Sequence, residues 1–367
     1  MSERKRNIIS YVLVTVLSVA FIFVGAKMQD MNLMTHSEEF YTAEVTSLLD
    51  VTTSEVSLDS GVTTVSTKSV YFEAEIQSGE YEGQKMEMLQ TIDYMYSIQP
   101  KTVEVGDKII VSYAMDPITS ESCFMFIEYN RIPSIVILCL VFFALLLFIA
   151  RGKGLGTIIS LVFTAAAVFL VYVPAILSGR NIYTMSIIIS IFIIFMSLIF
   201  INGVNTKTLC AILGNLGGVA VAGFLAYFVS EKLRITGAID EDCLFLMYVN
   251  EEHPIDLKAI VWGSIVIGSL GAVMDVAMSI ASAMKELADN MEAKTSGKLI
   301  RSGMNIGKDA IGTMTNTLIL AYIGSSLATV LLLVASNKDP ISLFNMEMIL
   351  VEIMQGVVGS IGILFAV

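Results

Sequence analysis

Eight apolar runs dominate this chain, at residues 8–26, 132–150, 155–177, 182–201, 208–229, 259–284, 309–335 and 343–367. Each is long enough to cross a hydrocarbon core of about 30 Å at about 1.5 Å per residue. A soluble core has no room for so many long apolar segments, so the sequence predicts an α-helical polytopic membrane protein with about eight transmembrane helices in the cell membrane. The composition agrees, with 55% hydrophobic and only 15% charged residues. The net charge of -12 argues against nucleic acid as a partner.

Basic residues give the orientation. Arg4, Lys5 and Arg6, then Arg151 with Lys153, then Lys207, then Lys285, Lys294, Lys298, Arg301 and Lys308 alternate onto one side of the runs. The positive-inside rule makes that side the cytoplasm and puts the N-terminus inside. Residues 1–27 read as a signal-anchor helix, because VGAKMQD offers no small-x-small cleavage site. Residues 36–130 change character to short alternating segments rich in Val, Thr, Tyr and Ile. Strands are expected at 41–49, 69–77, 84–92, 107–115 and 123–129, with turns at 79–83 and 105–107. They describe a small extracytoplasmic all-β domain of OB-like or SH3-like barrel type, inserted after the first helix. Residues 132–367 form the seven-helix transmembrane domain, with residues 285–308 either an interfacial helix or a solvated loop.

Polar residues inside the apolar runs are the functional lead, because polar groups in lipid are costly unless they face protein or water. Gly268, Gly271, Asp275, Ser279 and Ser282 recur every three or four residues, as do Asn305, Asp309, Thr313, Asn316 and Thr317. Counted from the cytoplasmic ends of their helices, Asp275, Asn215 and Thr313 fall at similar depth. Asn316 lies nearer mid-membrane and Glu352 in the outer third, which outlines a path across the bilayer. Asn, Ser and Thr also simply hydrogen-bond helices together, and Asp309 beside Lys308 reads equally as a first-turn carboxylate. Asp275 carries the strongest functional reading. The candidate ion- or substrate-binding set is therefore Asp275, Asp309, Asn215, Thr313, Asn316, Ser279 and Glu352, with no catalytic residue assigned.

Other chemistry is not indicated. His36 and His253 lack ligand spacing, and the four cysteines form no CxxC pair. RGKGLG at 151–156 lacks the phosphate-loop pattern, so no cofactor is expected. The acidic residues Asp240, Glu241, Asp242, Glu251, Glu252 and Asp256 read as a solvated loop.

Three segments carry a family likeness: LGAVMDVAMSIASAM (270–284), SGMNIGKDAIGTMTNTLILAYIG (302–324) and MEMILVEIMQGVVGSIGI (346–363). They resemble the signature segments of the YibE/F family of bacterial multi-pass membrane proteins, and the anchor followed by a β domain resembles its longer, YibE-like branch. Position 355 departs from the relatives, with glutamine where they tend to carry a basic residue. The resemblance implies a permease-like role and a shorter YibF-like membrane subunit as partner. Residue pattern and resemblance together make a secondary transporter or permease subunit for an unknown small solute or ion the first functional expectation, with Asp275 binding the coupling proton or cation. The alternative is a non-enzymatic envelope interaction or assembly protein whose β domain docks a partner. An intramembrane aspartyl hydrolase using Asp275 and Asp309 is a third reading, but the Tyr-Asp and Gly-x-Gly-Asp strings of such enzymes are missing.

Overall fold

A computed structural model describes residues 3–28, 40–58, 63–93, 101–115, 122–249, 254–290, 296–335 and 339–367. The chain separates into two units, Met1–Leu33 with Leu146–Val367, and Met34–Leu145.

The smaller unit holds five strands: β1 (Phe40–Leu58), β2 (Thr63–Ile76), β3 (Lys85–Asp93), β4 (Lys108–Met115) and β5 (Ser122–Tyr129). They close as a barrel in the order β1-β2-β3-β5-β4. All pairs are antiparallel except β3 with β5, which run parallel at Met88↔Phe124 and Leu89↔Met125. Five strands closed through one crossover follow the OB-like of the two expected barrel types. Alternation explains the interior: Tyr41, Ala43 and Val45 point in from β1, and Val70, Phe72, Ala74 and Ile76 from β2. Register shifts after Val45 and Leu48 mark bulges that let β1 curve around the barrel. Gln90 is buried there with its amide satisfied, donating to the Lys101 carbonyl (3.1 Å) and accepting from the Val103 N–H (2.9 Å). The β2–β3 turn needs glycine at 79, where φ is +82° and a Cβ would press into the Tyr41 ring. β1 and β2 stay paired to Leu58↔Thr63, longer than the sequence pattern predicts, and from Glu55↔Ser66 on they run past the β3 pairing.

The larger unit is helical. Its elements are α1 (Glu3–Lys27), the part of α2 (Ile132–Ala167) from Leu146 on, α3 (Val173–Leu177), α4 (Ile182–Asn202), α5 (Thr206–Leu233), α6 (Glu241–Val249), α7 (Leu257–Asn290), α8 (Ser296–Ser325), α9 (Leu327–Ala335), α10 (Pro340–Phe344) and α11 (Glu347–Phe365). A π-helical turn over Val168–Tyr172 joins α2 to α3. It lies just before Pro174, whose ring and missing N–H disturb regular helical bonding. Asn181 and Asn205 start α4 and α5, each side chain accepting from the backbone N–H three residues on (3.0 Å).

Among the described residues, six helices are long and apolar enough to cross a membrane. Three of the eight expected spans take a different form. Residues 132–177 run as one helical stretch broken where Arg151 leaves helical geometry (φ 49°, ψ −123°), between the expected spans 132–150 and 155–177. The expected span 309–335 is divided between α8 and α9. Nor are residues 285–308 a loop: 285–290 end α7, 296–308 begin α8, and 291–295 lie outside the described residues. Charges there misled the hydropathy reading, but Lys, Glu, Ala, Leu and Met are good helix formers.

Burial runs opposite to that of a soluble protein. On α5 the packed face is Ala211, Asn215, Gly218, Ala222, Gly223 and Ala226, while Leu213 (62% exposed) and Phe224 (70%) point outward. Small residues inside and large apolar ones outside are what a lipid solvent selects, since close backbone approach then holds the helices together. The core forms where α5, α7 and α11 meet. There a Cβ on Gly218 would lie 2.5 Å from the Gly362 carbonyl oxygen, and Trp262 Nε1 donates to the Gly223 carbonyl (2.7 Å).

Candidate functional site

The register of α7 against α8 follows from their closest approaches. A Cβ on Gly303 would meet Met284, and one on Gly268 would meet the Tyr322 hydroxyl, so the two helices run antiparallel. Asp275 lies seven residues after Gly268, and Thr315 seven before Tyr322. Seven residues are about two helical turns, so the Gly268–Tyr322 juxtaposition repeats as Asp275 opposite Thr315. Among the described residues no hydrogen bond or ion pair reaches the Asp275 carboxylate, and the side chain is exposed on the isolated chain. Thr315 Oγ1 is sealed from solvent and has no hydrogen-bond partner. An unpartnered carboxylate and an orphaned hydroxyl at one level can coordinate a proton-carrying water or a small cation through oxygen alone. The polar pattern in the sequence passed over Thr315. It lies off the Asn305, Asp309, Thr313, Asn316 stripe, and only the packing of α8 shows which threonine hydroxyl is buried.

That stripe occupies the other side of α8. Asp309, Thr313 and Asn316 are all exposed, whereas Gly303, Gly307 and Leu318 are buried. Thr313 Oγ1 donates to its own helix at the Ala310 carbonyl (3.0 Å). Asp309 sits about four turns inside α8, so it is not the first-turn carboxylate the sequence allowed. It also faces away from α7, and the geometry does not bring it together with Asp275. Ser279 shares the exposed α7 stripe with Gly268, Gly271 and Asp275.

Asn215 is placed differently again. Gly214 approaches Ala277 and Gly218 approaches Val273, which sets Asn215 level with Val276 and so beside the Asp275 level. Asp275, two residues from both Val273 and Ala277, is turned about 200° from that contact. The expected polar layer therefore exists as a level, but α7 divides it, with Asn215 on one side and Asp275 on the other. Asn215 is fully buried and both ends of its amide lack a hydrogen-bond partner. Such a group is costly to leave unpaired and marks a place for a bound water.

Glu352 lies on α11, roughly 20 Å along the helices from the Asp275 level. It lines an apolar cavity of about 450 Å³ with Tyr322 and Phe344. One turn away, Gln355 Nε2 donates to Ser264 Oγ on α7 (3.1 Å). Glu347, at the start of the same helix, has a structural task. Its carboxylate accepts from the Thr236 N–H (2.7 Å), the Thr236 hydroxyl (3.0 Å) and the Gly237 N–H (2.5 Å), tying α11 to the segment after α5.

The acidic segment contains a helix cap. Asp240 Oδ1 accepts from the Cys243 N–H (2.7 Å) at the start of α6, and this bond holds the carboxyl below its ordinary range. His36, Glu251, Glu252 and His253 lie outside the described residues. Among the described residues no three His, Cys, Asp or Glu side chains gather as a metal site requires.

A family model described as YibE/F-like protein matches residues 138–367, which include α7, α8 and α11. No curated protein matches the chain. No solved structure matches it.

Proposed function

The chain belongs to the YibE/F-like family and is a membrane protein, and we propose that it is a secondary transporter or permease subunit in which Asp275 binds the coupling proton or cation. The observation that carries this reading is an orphaned, sealed Thr315 hydroxyl on α8 at the level of the unpartnered Asp275 carboxylate on α7. A carboxylate on a lipid-facing surface is costly, so protein or water covers it in the working assembly. Binding a proton or cation neutralises the carboxylate, and Thr315 offers a second oxygen. Gly268 and Gly271 on the same stripe let the α7 surface slide past a neighbour, which couples occupancy to helix position. No nucleotide-binding motif is present in the sequence, so the energy comes from an ion gradient or another subunit.

In the same reading the N-terminus is cytoplasmic, the barrel extracytoplasmic, and the translocated species a small solute or ion. A second reading, an assembly protein of the envelope, draws on the outward α8 stripe of Asn305, Asp309, Thr313 and Asn316, which a partner helix would satisfy. A YibF-like subunit is the partner that the family resemblance implies. Asp309 turned from α7 argues against a carboxylate pair, so no hydrolase is proposed.

The test is charge movement. In liposomes holding the full chain on a solid support, a pH step should drive a transient current that Asp275→Asn abolishes and Asp275→Glu preserves with a shifted midpoint. An undiminished current in Asp275→Asn overturns the reading.

A further inference from the structure

We propose that the cavity between α8, α9, α10 and α11 is a binding site for a lipophilic monovalent cation, an organic ammonium or phosphonium with a large apolar body. At about 450 Å³ it lies in the range that holds drug-sized ligands. Its walls are almost wholly apolar, built from side chains such as Ile319, Ile323, Val330 and Val357. Glu352 is the one carboxylate among the described residues that line it. Its Oε2 is sealed from solvent and has no hydrogen-bond partner. Among the described residues that line the cavity none is basic, so none of these walls supplies the countercharge. Two aromatic rings do line it, Tyr322 and Phe344, and Gly356 leaves the floor open, with a Cβ there meeting nothing nearer than 3.7 Å.

Each part fixes one property of the ligand. A half-buried carboxylate with an unpartnered oxygen is stabilised by a cation and repels anions, which disfavours phospholipid headgroups through their phosphates. Aromatic faces add attraction for a diffuse positive charge. Apolar walls offer no donors or acceptors to replace the hydration shell of a small metal ion, so the cation must carry its own apolar surface. A carboxylate of charge −1 selects a monocation. The assignment does not depend on Asp275, which lies on α7 and does not line this cavity.

The probe is tetraphenylphosphonium, with tetraphenylborate as the anion of the same shape. Equilibrium dialysis of the purified full chain should show saturable tetraphenylphosphonium binding and no saturable tetraphenylborate binding. Glu352→Gln should weaken the phosphonium at least 10-fold at unchanged thermal midpoint. Phe344→Ala, an exposed position that the fold does not need, should weaken it several-fold and decides the matter if Glu352→Gln does not fold. Equal binding of both ions, undiminished phosphonium binding in Phe344→Ala or in folded Glu352→Gln, or no binding to the wild type because a phospholipid fills the cavity would each overturn the proposal.

Discussion

Gly218 of α5 and Gly362 of α11 approach so closely that a Cβ on the first would stand 2.5 Å from the carbonyl oxygen of the second. Because the obstacle is backbone, it has no rotamer through which to move aside. Gly218→Ala should therefore separate α5 from α11 and cost about 1–3 kcal/mol, as overpacking does. Gly271→Ala is the control: open space surrounds that position, and alanine favours the helix by about 1 kcal/mol over glycine. Thermal unfolding in detergent should rank Gly218→Ala below wild type, with Gly271→Ala at or above it.

Glu347 joins α11 to Thr236 and Gly237 through three charge-assisted bonds. Glu347→Ala removes them together and leaves two backbone N–H groups to water, a loss of about 1–3 kcal/mol. Hydrogen exchange should quicken at Thr236 and Gly237 and in the first turn of α11, while the barrel strands keep their protection.

Asp240 makes α6 sensitive to acid. Its carboxyl is held below the ordinary value of 3.8, chiefly by the bond from the Cys243 N–H. A carboxylate with a depressed folded-state value contributes stability above 3.8 and loses it as pH falls through that lower value. Hydrogen exchange in Asp242–Leu244, corrected for its intrinsic pH dependence, should thus rise only on acidification below about pH 4. Asp240→Asn keeps a capping side chain without the titration, and its α6 protection should not change over that window.

How much of this was legible beforehand differs between the two units. Period-two alternation located a core stretch of all five strands, because residues such as Val70, Phe72, Ala74 and Ile76 must face one interior. The arm from Val51 to Leu58 was missed because its Thr and Ser residues carry no apolar alternation. In the helical unit, hydropathy found the long apolar segments but misjudged both ends of the α7–α8 connection, where charged residues continue the helices. Spacing along one helix identified the Asp275 stripe. It could not reveal Thr315, or that Asn215 lies across α7 from Asp275, since both depend on which faces the helices turn to one another. Glu347 was undervalued for the same reason, its partners lying more than a hundred residues away.

The central claim is that Asp275 occupies a water-accessible space lined by protein. In a background with Cys123, Cys139, Cys210 and Cys243 replaced by serine, Asp275→Cys should react in native membranes with a membrane-impermeant thiol reagent applied to open vesicles. Phe224→Cys, on the outward apolar face, should react only with a lipid-soluble one. Labelling of Asp275→Cys by the lipid-soluble reagent alone, or by neither, would contradict the account.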